Sequence, residues 1–203
     1  MSKTRTKQAT SRRNSHYEKR LSSILKAASK VIAKDGFEGA SVRRVAAKAG
    51  IGLSGIYYYF KSKDEMLFAL QEHTFSTLVS SLKQRLDAAN SAEDKLKAVV
   101  ENHFQFFATN MDDLKVCVHE IGSLSGVYYK KILEIRREYY GLVKDVVAGI
   151  IKRPGHFDTN LATLFLFGSL NWVYMWYEQK KNSDINKLSD QLVKIFLNGI
   201  RAF

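Results

Sequence analysis

Residues 41–67 read SVRRVAAKAGIGLSGIYYYFKSKDEML, and the spacing of caps and glycines in this run sets the fold. Ser41 is suited to cap a helix over Val42–Ala49, and Gly50 to end it. A second short helix is predicted from Leu53 to about Tyr59. Ser62-Lys63-Asp64-Glu65 then has the form of a capping box, with Ser62 as the cap and Glu65 three residues on. It opens a long helix in which Met66, Leu67, Leu70, Leu78 and Leu82 fall on one face. Two short helices joined by a glycine-containing turn make a helix-turn-helix candidate.

Upstream, Leu21, Ile24, Leu25, Ala28, Val31 and Ile32 recur at three- and four-residue steps. They mark a helix from about His16 to Lys34, with Gly36 as a left-handed stop. Charge is segregated in the same part of the chain. Up to Lys63 there are 15 Lys/Arg against 3 acidic residues, whereas from Asp64 onward there are 17 of each. The whole net charge of +12 thus sits in the first third, as expected of a module that meets a polyanion. Residues 1–15 are basic, polar and free of acids, which predicts a disordered arm reaching phosphates or a minor groove. They lack the apolar run of a secretory signal. The single Cys117 can make no internal disulfide, which suits a reducing cytoplasm.

Downstream, helical periodicity continues, with helices predicted at roughly 92–110, 112–122, 127–152, 157–179 and 184–202. Breaks are expected at Asn90-Ser91, Asn110, Gly122–Gly126, Pro154-Gly155 and Asn182-Ser183. No alternating strand pattern and no repeat stand out, so the chain is expected to be all-α with about nine helices. Between Asp158 and Glu178 lie 19 consecutive uncharged residues, nearly enough to cross a bilayer of roughly 30 Å. Thr159, Asn160, Thr163, Ser169 and Asn171 interrupt them. A helix apolar nearly all round is explained more simply by burial on two sides, against its own core and against a second copy of the chain. That predicts a homodimer built from the helices near 157–179 and 184–202, with Leu166 and Phe167 in its interface.

The 41–67 run, together with Gly36-Phe37, resembles the DNA-binding signature of the tetracycline-repressor (TetR-type) family. The matching residues are Ser41, Val45-Ala46, Ala49-Gly50-Ile51, Ile56-Tyr57, Tyr59-Phe60 and Ser62-Lys63-Asp64. Gly52 and Tyr58 depart from the common pattern, which often has Ser or Thr and His there. The resemblance implies a helix-turn-helix domain over 16–62 and a helical effector-binding and dimerisation domain over 63–203. It implies a dimeric regulator, most simply a repressor on a palindromic operator. Gly52, Leu53, Ser54 and Gly55 would begin the recognition helix. Ser41, Arg43, Arg44, Tyr57, Tyr58 and Lys63 would supply contacts to phosphates or thymine methyls. Val42, Val45, Ala46, Ala49, Ile51, Ile56, Tyr59 and Phe60 would pack the module.

No catalytic constellation is legible: the histidines are scattered, and phosphate loop and nucleophile elbow are missing. An enzyme, a bound cofactor and a metal are therefore not expected. The resemblance implies instead a small-molecule pocket in the larger domain, apolar with a few polar groups. Its candidates are His103, Phe104, Phe107, Tyr128, Arg136, Arg137, Tyr140, Trp172 and Trp176. The stretch from Glu120 to Tyr140 is also similar to members that respond to acyl-coenzyme A thioesters. Its arginines would meet coenzyme phosphates, or pair with Glu134 and Glu138 on the helix surface. An acyl thioester, another apolar effector, a DNA-binding protein without effector, and a membrane-associated helical protein all remain open at this point.

Overall fold

The computed structural model describes residues 2–151, 157–177 and 184–201, with side chains from residue 15 to residue 200 within those ranges. The expected breaks at Pro154-Gly155 and Asn182-Ser183 lie outside them. The helices are α1 (Ser2–Gly39), α2 (Val42–Ala49), α3 (Leu53–Tyr59), α4 (Lys63–Asp87), α5 (Ala92–Thr109), α6 (Met111–His119), α7 (Gly126–Ile150), α8 (Thr159–Asn171) and α9 (Ile185–Arg201). Trp172–Met175 continue α8 as a tighter 3-10 turn.

The caps work largely as the sequence foretells. Ser41, Ser62 and Ser91 each accept a hydrogen bond from the backbone N–H three residues on, at 3.3, 3.0 and 3.0 Å. Asp158 accepts from the N–H groups of Asn160 and Leu161, two and three residues on. The capping box at Ser62 closes differently: Glu65 Oε2 accepts from the N–H of Lys61, at 2.6 Å, instead of that of Ser62. Gly50 takes the left-handed cap conformation (φ 65°, ψ 39°).

Two features of α1 differ from expectation. The helix begins at Ser2, so the backbone of the basic run continues α1. No Gly or Pro interrupts residues 2–34, so nothing in that segment stops a helix once the apolar stripe from Leu21 nucleates one. Gly36 sits at φ 71°, ψ 163°, a glycine-only conformation that kinks the chain where a simple helix stop was expected.

A continuous core links the two ends of the molecule. Val45, Ala46, Ile56 and Phe60 of the helix-turn-helix are buried against Ile24, Ala28 and Phe37 of α1. That core runs on through Met66, Leu67 and Leu70 of α4 into Val99, Phe104 and Phe107 of α5 and Val143 and Val147 of α7. α4 packs against α1, α5 and α7, and α9 packs along α5. Among the described residues, no helix is long and apolar enough to cross a membrane.

α8 is two-faced. Ala162, Thr163, Leu166 and Leu170 are buried in the protein's own core. Leu161, Leu164, Phe165, Trp172, Met175 and Trp176 recur at helical spacing on the opposite side and stand exposed, Phe165 at 75%. Ile195 of α9 is also open, at 68%.

Candidate nucleic-acid interface and effector cavity

α2 and α3 are held with their outer faces free. Gly52 caps α3 without a side chain, and Leu53, Ser54, Tyr57 and Tyr58 are exposed along it, Tyr58 at 71%. Gly55 is half-buried, because its Cα lies over Ile51; a Cβ there would stand 3.5 Å from the isoleucine side chain. Tyr59 faces inward, as expected, with its ring 4.9 Å from that of Tyr17. Tyr58 meets the same two rings edge-on at 6.4 and 5.1 Å. Tyr17 went unremarked in the sequence: it precedes the first apolar step of α1, and only the fold brings it to α3.

The three cations expected at DNA differ in what they have left to offer. Arg43 is exposed, as is Lys48 near the end of the same helix. Arg44 is half-exposed and paired with Asp35 at 2.6 Å, so its charge is partly compensated. Lys63 is turned inward, contrary to the phosphate contact expected of it. Its ammonium donates to the carbonyls of Phe37, Glu38 and Ala40, at 2.8, 3.4 and 3.4 Å, and lies 4.3 Å from the centre of the Phe37 ring. A lysine has three N–H donors, and all three serve the chain end after the Gly36 kink. Substituting Arg43 by Gln should therefore lower the slope of log affinity against log salt by about one on non-specific DNA. Lys63→Gln should leave that slope unchanged while lowering the melting temperature. Salt titrations of both variants check this.

The larger domain encloses a cavity of about 340 Å³ between α4, α5, α6, α7 and α8. His103, Phe107, Arg136, Arg137 and Tyr140 line it, as the sequence suggests. Phe75 and Leu78 of α4, Cys117 of α6, and Tyr139 and Phe167 line it too; their ordinary core spacing gave no sign of it. Four candidates lie elsewhere. Phe104 is one residue out of phase with the cavity-facing pair His103 and Phe107, and is buried in the core. Tyr128 is more than a turn before Leu133, the first cavity residue of α7, and stacks on Phe68 with ring centres 5.0 Å apart. Trp172 and Trp176 stand on the exposed face that continues α8, 59% and 49% accessible.

The polar groups of the cavity are few. Burial pulls the Arg136 guanidinium below its usual value; it donates to the carbonyl of Cys117 at 3.0 Å and stacks over Phe75. Among the described residues neither Arg136 nor Arg137 has a carboxylate within ion-pair distance, and Glu138 is taken by Lys83 at 2.5 Å. Cys117 is inert, its thiol pushed up to about 12 by burial. His103 is fully buried and its imidazole is driven down to about 3 by desolvation, hence neutral at pH 7.

One residue ties the cavity wall to the helix-turn-helix. Glu120 follows α6, and its Oε1 accepts from the N–H of Phe37 at 2.9 Å, across 83 residues of sequence. Its Oε2 accepts from Ser123 at 2.5 Å, and its main-chain oxygen from Gln71 of α4 at 3.1 Å. α6 thus reaches the Gly36 kink directly, beside the packing of α4 on α1.

A family model described as bacterial regulatory proteins of the tetR family matches residues 24–70. A second, the tetracyclin repressor-like C-terminal domain, matches residues 89–200. The chain belongs to the TetR family of transcriptional regulators. Among curated relatives, this TetR-family chain is 26% identical to the fatty acid metabolism regulator protein of Bacillus subtilis (strain 168), over 87% of its length and 93% of the relative's. Its fold is that of a TetR-family regulator from Bordetella parapertussis 12822, with a TM-score of 0.82 at 22% identity, covering 88% of this chain and 94% of that one. It is likewise similar to the regulator FadR of Bacillus subtilis solved with stearoyl-CoA (TM-score 0.71, 24% identity, 87% and 97% covered). These regulators share the helix-turn-helix and the helical domain behind it.

Proposed function

We propose that this TetR-family regulator is a homodimeric repressor whose release from a palindromic operator is triggered by an acyl-coenzyme A thioester in the cavity. In this reading residues 16–62 are the DNA-binding module, residues 63–203 the effector and dimer domain, and the protein works in the cytoplasm. One observation carries it: an apolar cavity lined by two arginines that meet no carboxylate among the described residues has, as one wall, the helix that grips the helix-turn-helix through Glu120. The arginines are suited to the phosphates of a coenzyme, and the aromatic lining to its acyl chain. The curated relative named for fatty acid metabolism and the stearoyl-CoA complex of a like fold support the same class.

Two recognition helices must sit roughly 34–36 Å apart to enter successive major grooves. An effector that fits better with the helices spread would favour a spacing that mismatches the operator. The exposed stripe on α8 supports the dimer, since an apolar face of that extent calls for a partner. Fluorescence anisotropy on a duplex selected from random sequence tests the reading. Butanoyl-, octanoyl- or hexadecanoyl-coenzyme A should weaken DNA binding by about 5–150-fold; coenzyme A alone should not. Retention of full DNA affinity with all three thioesters would overturn it.

A further inference from the structure

Among the described residues, one buried side-chain atom of the cavity lining has nothing to bond. His103 is 2% exposed and lines the cavity, and its Nε2 has no hydrogen-bond partner among those residues. Its other nitrogen, Nδ1, lies 3.4 Å from the hydroxyl of Tyr139. A phenol hydroxyl has one proton to give, and an imidazole nitrogen without hydrogen can take it. When Tyr139 donates to Nδ1, the ring hydrogen lies on Nε2, which is then a donor.

We propose that His103 is the polar anchor of the effector: its Nε2–H donates to the carbonyl oxygen of a bound acyl thioester, and the Tyr139 hydroxyl, donating to Nδ1, holds it in the tautomer that can do so. The proposal rests on the acyl-thioester reading above and narrows it to the atom recognised. An unmatched buried donor discriminates strongly, since a ligand lacking the acceptor leaves it unsatisfied while a ligand bearing one restores a bond otherwise lost on burial. Burial keeps the ring neutral across the physiological range, so the anchor does not switch with small changes of pH.

Two matched probes test it: an acyl-coenzyme A and the S-alkyl-coenzyme A thioether of the same chain length, which differ in the carbonyl oxygen. Calorimetry with short, medium and long chains on the full-length protein should show the thioester bound at least about tenfold more tightly than its thioether. His103→Phe should remove that preference while still binding the thioether, and His103→Gln, which keeps a donor, should retain part of it. Tyr139→Phe should reduce the preference by freeing the tautomer. Long-range ¹H–¹⁵N spectra of the free protein should show His103 neutral with its proton on Nε2. Equal binding of thioester and thioether to the wild type would overturn the proposal and leave the effector reading standing. So would a preference that survives in His103→Phe, or a proton found on Nδ1. If no probe binds the wild type, the effector reading falls and the proposal with it.

Discussion

Phe165→Asp is expected to convert the dimer to a folded monomer. Phe165 is the most exposed large apolar side chain among the described residues, in the middle of the outer stripe of α8. In a two-fold dimer each substitution occurs twice, so a charge there enters a dry interface from both sides with no partner. An uncompensated buried charge costs about 3–5 kcal/mol, a weakening of dimerisation by two or more powers of ten. The variant should keep its helical circular dichroism, because Phe165 faces away from its own core. With one recognition helix per particle, operator affinity should fall by about 10²–10⁴-fold, the loss of one linked half-site. Sedimentation equilibrium reads the first effect and anisotropy the second; a dimer of unaltered affinity would refute the assignment. The neighbouring residue should behave differently. Leu166 is fully buried in the protomer's own core, so Leu166→Asp should unfold the chain instead of dissociating it, and Phe167, which lines the cavity, should affect the ligand first. The outward face of α8 thus lies one or two positions away from Leu166 and Phe167, the residues expected at the interface from sequence.

Glu120→Ala is expected to cut the link between effector and DNA. The carboxylate is shared by the N–H of Phe37 and the hydroxyl of Ser123, and the same residue's carbonyl receives Gln71. Phe37 is in turn the residue whose carbonyl Lys63 caps. In the proposed mechanism, a shift of α6 on filling the cavity would be transmitted through these bonds to the kink that orients α2 and α3. The alanine variant leaves the part-buried N–H of Phe37 without its acceptor, at a stability cost of about 1–3 kcal/mol. Effector affinity should change little, since Glu120 is not in the cavity lining. The effector's 5–150-fold action on DNA affinity should shrink towards unity. Glu120→Gln keeps an oxygen for Phe37 but can no longer accept from Ser123 on its other atom, and should fall between. Full effector response in Glu120→Ala would remove Glu120 from the coupling path.

Much of this was legible in the sequence because it depends on local rules. Ser41, Gly50, Ser62 and the three-and-four stepping of apolar residues fix helix ends and faces within a turn or two, so α2 and α3 fall where those rules put them. The separation of Tyr57 and Tyr58 from Tyr59 followed from helical phase alone. What could not be read depends on contacts distant in sequence. Lys63 meets the carbonyls of α1 because α4 docks beside the Gly36 kink. Tyr17 reaches α3 across a packed interface, and Glu120 reaches Phe37 across most of a domain. Trp172 and Trp176 invited a cavity role by their chemistry, yet α8 turns them outward. His103 was a plausible ligand contact by composition; that its Nδ1 meets the Tyr139 hydroxyl while its Nε2 faces the cavity required α5 and α7 in place.

The central claim is that effector and operator oppose each other through one equilibrium. Coupling between two binding sites is reciprocal, so the affinity of the protein for an acyl-coenzyme A that releases DNA should be measured with and without saturating operator duplex. The account predicts that operator weakens thioester binding by the same factor, within 5–150-fold, by which the thioester weakens operator binding. Equal thioester affinities in the two titrations would contradict it.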